Sequence, residues 1–333
     1  MLQLLKRRAA IFSGLLSFIV GCTVTLSLLN LDSCTEKINL RSGQNNDPIL
    51  GKATRNHSIL IILILTSPAN VNRREIIRGT WLSLWKNSSV VQYHFVVGGG
   101  GFKEEIHSFI AEEQSVHHDL IVLPHVYDDY KSLTKKVLEA FVWIDKAVNH
   151  FKYLLKCDDD SFVQVDKVLS ELQTLKLAKE HSLYWGFFNG RAQVKVSGKW
   201  KESDWVLCDY YLPYALGGGY VLSQKLIHFI AVNAKFLRLY NSEDVSVGVW
   251  LSAVANVTRL HDPRFDTEFM SRGCSNTYLV THKHDATTMR KMFVTLKESG
   301  RLCDVEYRTR DSYMYNWNVP PSKCCIRNDS SIP

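Results

Sequence analysis

No Gly-X-Ser-X-Gly elbow occurs in the 333 residues, so serine hydrolysis of the α/β-hydrolase kind has no nucleophile. No Gly-X-Gly-X-X-Gly run opens a helix either, and Gly98-Gly99-Gly100-Gly101 reads as a permissive turn rather than a dinucleotide cradle. The cysteines lack the paired spacing of a zinc site. Nothing repeats internally, which removes solenoid architectures. A basic stripe with interleaved aromatics is also missing. The net charge of +7 is modest and partly due to Lys6, Arg7 and Arg8, so nucleic acid is not an expected partner.

What is present begins with a membrane signal. Residues 9–31 carry no charged side chain and reach the roughly 20 residues that cross a bilayer as a helix. Lys6, Arg7 and Arg8 precede this stretch, and Asp32 and Glu36 follow it. The positive-inside rule then puts residues 1–8 in the cytosol and the rest in the lumen, as a single-pass type II signal anchor. A cleaved signal peptide is the competing reading, but its apolar region is usually shorter, about 7–15 residues. Residues 32–56 are polar and unpatterned and read as a stem. Residues 57–333 are long enough for one sizeable α/β domain or two small ones. Lumenal placement gives meaning to the Asn-X-Ser/Thr sequons at Asn56, Asn87, Asn256 and Asn328. It also favours disulfides among Cys157, Cys208, Cys274, Cys303, Cys324 and Cys325. Spacing does not choose the pairs, and Cys157 reads equally well as a buried free thiol.

Ser58 to Thr66 is a continuous apolar run, as a strand buried on both faces requires. Tyr93–Val97, Leu120–Leu123, Tyr153–Cys157 and Tyr184–Phe188 are further strands. Apolar spacing predicts helices over Leu133–Val148, Asp166–Leu177 and Leu226–Leu239. Helix and strand alternate as in a parallel sheet. The stretch 189–213, rich in charge, Trp and Tyr without a period, reads as a binding surface. The first half is thus a nucleotide-binding sheet of Rossmann type and the second an acceptor-binding half.

The most informative run is Tyr153-Leu154-Leu155-Lys156-Cys157-Asp158-Asp159-Asp160, where an apolar strand ends in three carboxylates. Open α/β sheets place ligands at the carboxyl ends of their strands. Adjacent like charges resist burial unless a cation compensates them, and hard oxygen ligands favour Mg²⁺ or Mn²⁺ over zinc. The other reading is a solvated acidic turn. Glu243-Asp244-Val245, ahead of an apolar run, is either a helix start with early acids or the source of a general base. His282 ends the apolar run Tyr278–Thr281, as a structural histidine or a further metal ligand.

Arg74-Glu75-Ile76-Ile77-Arg78-Gly79-Thr80-Trp81 resembles the Arg-X-X-Ile-Arg-X-Thr-Trp motif of the β-1,3-glycosyltransferase family, glycosyltransferase family 31. Phe95-Val96-Val97-Gly98 is similar to its second motif. Asp128-Asp129-Tyr130 with Leu133-Thr134-Lys135 resembles its Asp-X-Tyr-X-X-Leu-Thr-X-Lys signature, apart from the residue order after Thr134. Asp158-Asp159-Asp160, Gly217-Gly218-Gly219-Tyr220 and Glu243-Asp244-Val245 complete the series in order, across about residues 57–333. Tyr184-Trp185-Gly186-Phe187-Phe188, Cys208-Asp209-Tyr210-Tyr211-Leu212-Pro213-Tyr214, His261 to Glu268 and Pro320-Pro321-Ser322-Lys323-Cys324-Cys325 are similar to those members that build the glycosaminoglycan–protein linkage region.

The resemblance implies a GT-A fold, UDP-galactose as donor and Mn²⁺ as cofactor, in a Golgi membrane enzyme. The acceptor it implies is the galactosyl-β-1,4-xylose stub on the serine of a proteoglycan core protein, extended by a β-1,3 bond with inversion. It implies Asp160 and His282 as metal ligands and Asp244 as base. Arg74, Arg78, Asp129, Asp158 and Asp159 would hold the nucleotide sugar, with Arg78 alternatively supporting the sheet edge. Trp185, Trp205 and Tyr211 would stack on the acceptor, or pack in the core. Tyr211-Leu212-Pro213-Tyr214 stands where many relatives carry a Pro-Pro pair, and the cysteine set departs from the wider family. Two rivals remain: a related transferase using UDP-N-acetylglucosamine, and a non-catalytic Golgi-anchored binding protein.

Overall fold

The computed structural model describes residues 58–148, 150–175 and 182–333. The expected anchor, the stem and Asn56 lie outside the described residues. Among the described residues no helix is long and apolar enough to cross a membrane.

Eight strands enter the first part of the architecture: β1 (Ser58–Leu65), β2 (Val91–Gly98), β3 (Leu120–Leu123), β4 (Phe151–Asp158), β5 (Phe162–Val163), β6 (Ser182–Asn189), β7 (Tyr214–Ser223) and β8 (Val257–His261). Seven of them form one sheet in the order β3-β2-β1-β4-β7-β6-β8. β1 is an interior strand between β2 and β4, and Leu60, Ile61, Ile62, Leu63 and Ile64 are fully buried, which explains an apolar run without alternation. β1 to β4 are parallel, as the sequence reading expects. β7 breaks the pattern by running antiparallel to both β4 and β6. Its three consecutive glycines hide it from propensity rules, yet it is ten residues long and lies against the strand that carries the carboxylates.

The helices are α1 (Val71–Gly79), α2 (Glu104–His117), α3 (Leu133–Ala147), α4 (Val165–Thr174), α5 (Gln224–Asn233), α6 (Glu243–Ser252) and α7 (Ala286–Ser299). α3 buries Val137, Phe141 and Ile144, the face its spacing predicts. The helix expected over Leu226–Leu239 is shorter. α5 ends at Asn233, whose amide Nδ2 donates to the Phe229 carbonyl at 2.8 Å, and a 3₁₀ turn, Ala234–Phe236, follows.

A second, three-stranded sheet sets β11 (Val280–Thr281) between β5 and β9 (Phe265–Asp266). A third pairs β10 (Gly273–Cys274) with β12 (Tyr307–Arg308). Disulfides join Cys274 to Cys303 and Cys324 to Cys325. Cys157 is a buried free thiol and Cys208 an exposed one, so four of the six expected cysteines are paired.

His94 on β2 is 7% exposed, neither ring nitrogen has a hydrogen-bond partner, and Trp143 meets the ring edge-on. Burial pushes its pKa down to about 4, against a smaller opposing pull from Asp119. The fold therefore holds the neutral ring, while the unfolded chain takes up a proton below about 6.5. Stability contributed by this exclusion is full above pH 6.5 and lost as the pH falls towards 4. The cost per such histidine is at most about 3 kcal/mol. Denaturant unfolding of His94→Leu between pH 7.5 and 4.5 should show a flatter acid-side decline than wild type. Parallel curves would assign the acid sensitivity elsewhere, with His261, pushed down to about 4 chiefly by burial, as the next group.

Candidate active site

The site grows from the end of β4. Lys156 points its ammonium into the interior and is 1% exposed. Its Nζ donates to Asp158 Oδ1 at 2.9 Å, to Glu243 Oε1 at 2.5 Å and to the Gly217 carbonyl at 2.7 Å. Burial opposes its charge, but the two carboxylates outweigh it and hold the ammonium well above the usual lysine range. One cation thus ties β4, β7 and α6 together.

Past Asp158 the chain turns, and β5 pairs with β11 so that Phe162 faces Thr281. The His284 amide donates to the Asp160 carbonyl at 2.9 Å, which locks the next residues of the two segments together. His282 Nε2 then lies 3.1 Å from Asp160 Oδ1 and 3.5 Å from Asp158 Oδ2. One ligand atom from each of the three residues falls within 4.8 Å of the others. Asp160 Oδ1 and both ring nitrogens of His282 are buried, and none is in full hydrogen-bond geometry despite the 3.1 Å approach of Nε2 to Oδ1. Two carboxylates and one imidazole with orphaned atoms converging on a point fit a divalent cation. In the cation's absence, burial would lower the His282 pKa, but Asp158 and Asp160 overcome it and raise the ring to about 9. Asp158 sits below the usual carboxylate range, because Lys156 and His282 outweigh its burial.

The glycines of β7 make room for these groups. A Cβ on Gly218 would stand 2.7 Å from His282 Cγ, and one on Gly217 would stand 2.8 Å from Glu243 Oε1. Any side chain at either position would displace a charged group of the site.

Asp244 lies in the first turn of α6. Its Oδ2 accepts from the Gly217 amide at 3.0 Å and its Oδ1 from the Val245 amide at 2.9 Å. Burial raises its pKa, against the pull of Lys156 and these two amides. A carboxylate so held is oriented and more basic than usual, as a general base requires. Glu243 beside it is pushed up to about 7, first by burial, and is engaged by Lys156 and the Tyr220 hydroxyl. Asp158, His282 and Asp244 all line one cleft of about 460 Å³, together with Tyr130, Tyr211, Trp200 and Lys199.

Several expected residues lie elsewhere. Arg74 is completely buried, bonded to Glu113 and to the Ser67 and Pro68 carbonyls. Its neighbour Arg73, with a side chain 46% exposed, is the one that reaches the acidic run: 2.9 Å to Asp159 Oδ1 and 3.9 Å to Asp160 Oδ2. Adjacent helical residues point about 100° apart, so Arg73 and not Arg74 is the one turned towards the acidic run. Arg78 binds Glu113 and Asp119 and so supports the sheet edge, the alternative given for it. Asp159 accepts from Thr66, Asn70 and Arg73 and braces the acidic turn against the end of β1. Asp129 is exposed and caps the 3₁₀ turn Tyr130–Ser132. Lys135 is likewise exposed, while the buried Lys136 bonds the Thr66 carbonyl and Asp128, so the lysine of that signature is Lys136.

Trp185 is a core residue, fully buried with Nε1 donating to Asp262 at 3.0 Å. Trp205 packs on Tyr211 and Tyr240 behind the cleft wall, whereas Tyr211 reaches the cleft. Trp200, which the sequence reading passed over, lines it too. Asn87, Asn256 and Asn328 are all exposed, as glycan attachment demands. Lys156 went unnoticed because a lone lysine in a buried strand carries no spacing signal.

The profile of the galactosyltransferase family matches residues 72–263. Mouse (Mus musculus) β-1,3-galactosyltransferase 6 is 44% identical over 326 residues, spanning 97% of this chain and 97% of that protein. UDP-GalNAc:β-1,3-N-acetylgalactosaminyltransferase 2 of Xenopus tropicalis is 31% identical over 62% of this chain and 40% of its own length. Hydroxyproline O-galactosyltransferase GALT6 of Arabidopsis thaliana is 32% identical over 73% of this chain and 35% of its own.

Because Gly218 abuts the imidazole, Gly218→Ala should rotate His282 away from the two aspartates. Manganese titration followed by electron paramagnetic resonance should then show affinity lowered by about tenfold or more. Unchanged affinity in a folded variant would remove His282 from the cation site.

Proposed function

The chain belongs to the galactosyltransferase family, and from that premise we propose an inverting β-1,3-galactosyltransferase of the GT-A kind. Its donor is UDP-galactose, its cofactor Mn²⁺, and its acceptor the galactosyl-xylose stub on proteoglycan core proteins. The observation that carries this reading is the presence, in the lining of one cleft, of Asp158 and His282, which with Asp160 form a cation-ready group, and of an oriented carboxylate, Asp244. A binding protein has no use for both.

The acceptor hydroxyl oxygen forms its bond to the anomeric carbon as the bond from that carbon to the diphosphate oxygen breaks, with inversion. Asp244 takes the hydroxyl proton, and the Gly217 and Val245 amides keep its carboxylate aimed while the charge moves. Asp158, Asp160 and His282 would hold a divalent cation, which would supply neutralisation of the departing diphosphate. Lys283, 3.5 Å from Asp160 Oδ2, and Arg73 bring further positive charge to that end. The fit to mouse β-1,3-galactosyltransferase 6 along nearly the whole chain supports galactose over N-acetylglucosamine as the sugar. The uncharged residues 9–31 after Lys6, Arg7 and Arg8 support a type II anchor in the Golgi membrane, with the catalytic domain lumenal.

With purified protein, Mn²⁺ and galactosyl-β-1,4-xyloside, a UDP-sugar panel should give a β-1,3 product from UDP-galactose. Transfer from UDP-N-acetylglucosamine instead would overturn the donor, and transfer only to other acceptors would sink the linkage-region role. Asp244→Asn should lower transfer by about a hundredfold or more while UDP binding persists. Equal loss of both would place Asp244 in nucleotide binding. Because burial raises the base's pKa, the acid limb of kcat/KM should lie above the ordinary aspartate range. A limb at or below that range would show another group titrating.

A further inference from the structure

Residues 190–213, between β6 and β7, contribute Ala192, Lys195, Lys199, Trp200 and Tyr211 to the cleft lining. They lack regular helix, yet they are tied down. The Glu202 amide donates to the Lys195 carbonyl at 2.8 Å and the Lys201 amide to the Gly198 carbonyl at 3.1 Å. The Lys195 amide donates to the Tyr211 hydroxyl at 3.0 Å.

Glu202 is 9% exposed, unusual for a glutamate on a loop. Its carboxylate spans two successive backbone amides of another segment. Oε2 accepts from Asn241 at 3.0 Å and Oε1 from Ser242 at 3.1 Å. In return, Asn241 Nδ2 donates to the Lys199 carbonyl at 2.7 Å. Ser242 is the N-cap of α6, and its own side chain makes no capping hydrogen bond. Glu243 and Asp244 follow immediately, so a third carboxylate here meets two like charges. The helix dipole offers roughly 0.3–1 kcal/mol and like-charge pairs take back a similar amount. Charge alone does not account for a buried acid at this place; its two directed hydrogen bonds do.

We propose that Glu202 is a positioning residue, fastening the acceptor-side loop to the start of α6 so that the cleft wall and Asp244 are set as one unit. The inference rests on Asp244 as base. Through it, an acceptor seated against Trp200 and Tyr211 is registered to the carboxylate that deprotonates it. The Glu202 carboxylate bonds only the Asn241 and Ser242 amides, whereas Asp158 at the donor end keeps its own anchor, Lys156.

The test uses the full-length protein with Glu202→Ala and Glu202→Gln. In Glu202→Ala, kcat should fall on the order of tenfold and the acceptor KM should rise, since small misplacements of reacting groups carry large rate penalties. The UDP-galactose KM and UDP affinity should stay within about twofold, the split that separates acceptor positioning from general damage. Glu202→Gln keeps one acceptor oxygen and should recover part of the activity. Hydrogen–deuterium exchange should quicken together at 195–201 and 241–242 in Glu202→Ala. Unchanged kcat and acceptor KM, or exchange that quickens on one side alone, would overturn the linkage. So would parallel loss of UDP binding. If wild type transfers no galactose, the assigned reaction fails, while the exchange measurement still decides whether Glu202 joins the two segments.

Discussion

A buried ammonium organises this molecule. Lys156 lies inside a strand, where an unpaired charge would cost several kcal/mol, and it persists because three acceptors from three different segments meet it. The dependence runs both ways. Asp158 and Glu243 are carboxylates brought close in the interior, and without the cation between them one would be driven to protonate. The end of β4, the backbone of β7 and the first turn of α6 therefore share a common origin of position. The cation group hangs on the first of these and the base on the last.

β7 is the floor on which the two functions are laid out. Its glycines let Glu243 and His282 come within van der Waals reach of the backbone, and their freed polar groups become part of the site. The Gly217 amide holds Asp244, its carbonyl holds Lys156, and the Gly218 carbonyl receives the Ser161 hydroxyl at 2.7 Å. Removing side chains from this strand converts bare peptide into recognition surface, at the expense of strand propensity.

That expense explains what the sequence does and does not disclose. β1 and β4 are legible because burial on both faces demands unbroken apolar runs, and α3 is legible because one face is buried. β7 is not, since its glycines serve neighbours that sequence spacing cannot see. The acidic run announces itself through repulsion that only a cation or water relieves. His282 is different: its relation to Asp160 depends on pairing between β5 and β11, more than a hundred residues apart, and only the family resemblance favoured the ligand reading over the structural one. The resemblance in turn transfers residue types better than orientations. It led to Arg74 where Arg73 faces the acids, whereas the lysine that its Asp-X-Tyr-X-X-Leu-Thr-X-Lys spacing reaches, Lys136, is the enclosed one. Trp185 shows the same limit, a tryptophan whose polar edge is satisfied by Asp262 inside the core.

The pairing of β5 with β11 also carries a consequence for biosynthesis. The carboxylates at the end of β4 emerge from the ribosome long before His282, although a domain generally folds as a unit. A nascent chain with its parallel strands assembled would hold the aspartates of the cation site but not their imidazole partner. Only when β11 docks does the third ligand arrive, so competence for the metal coincides with completion of the acceptor half rather than with the earlier nucleotide-binding sheet. A fragment ending before β11 would lack the imidazole of the cation site.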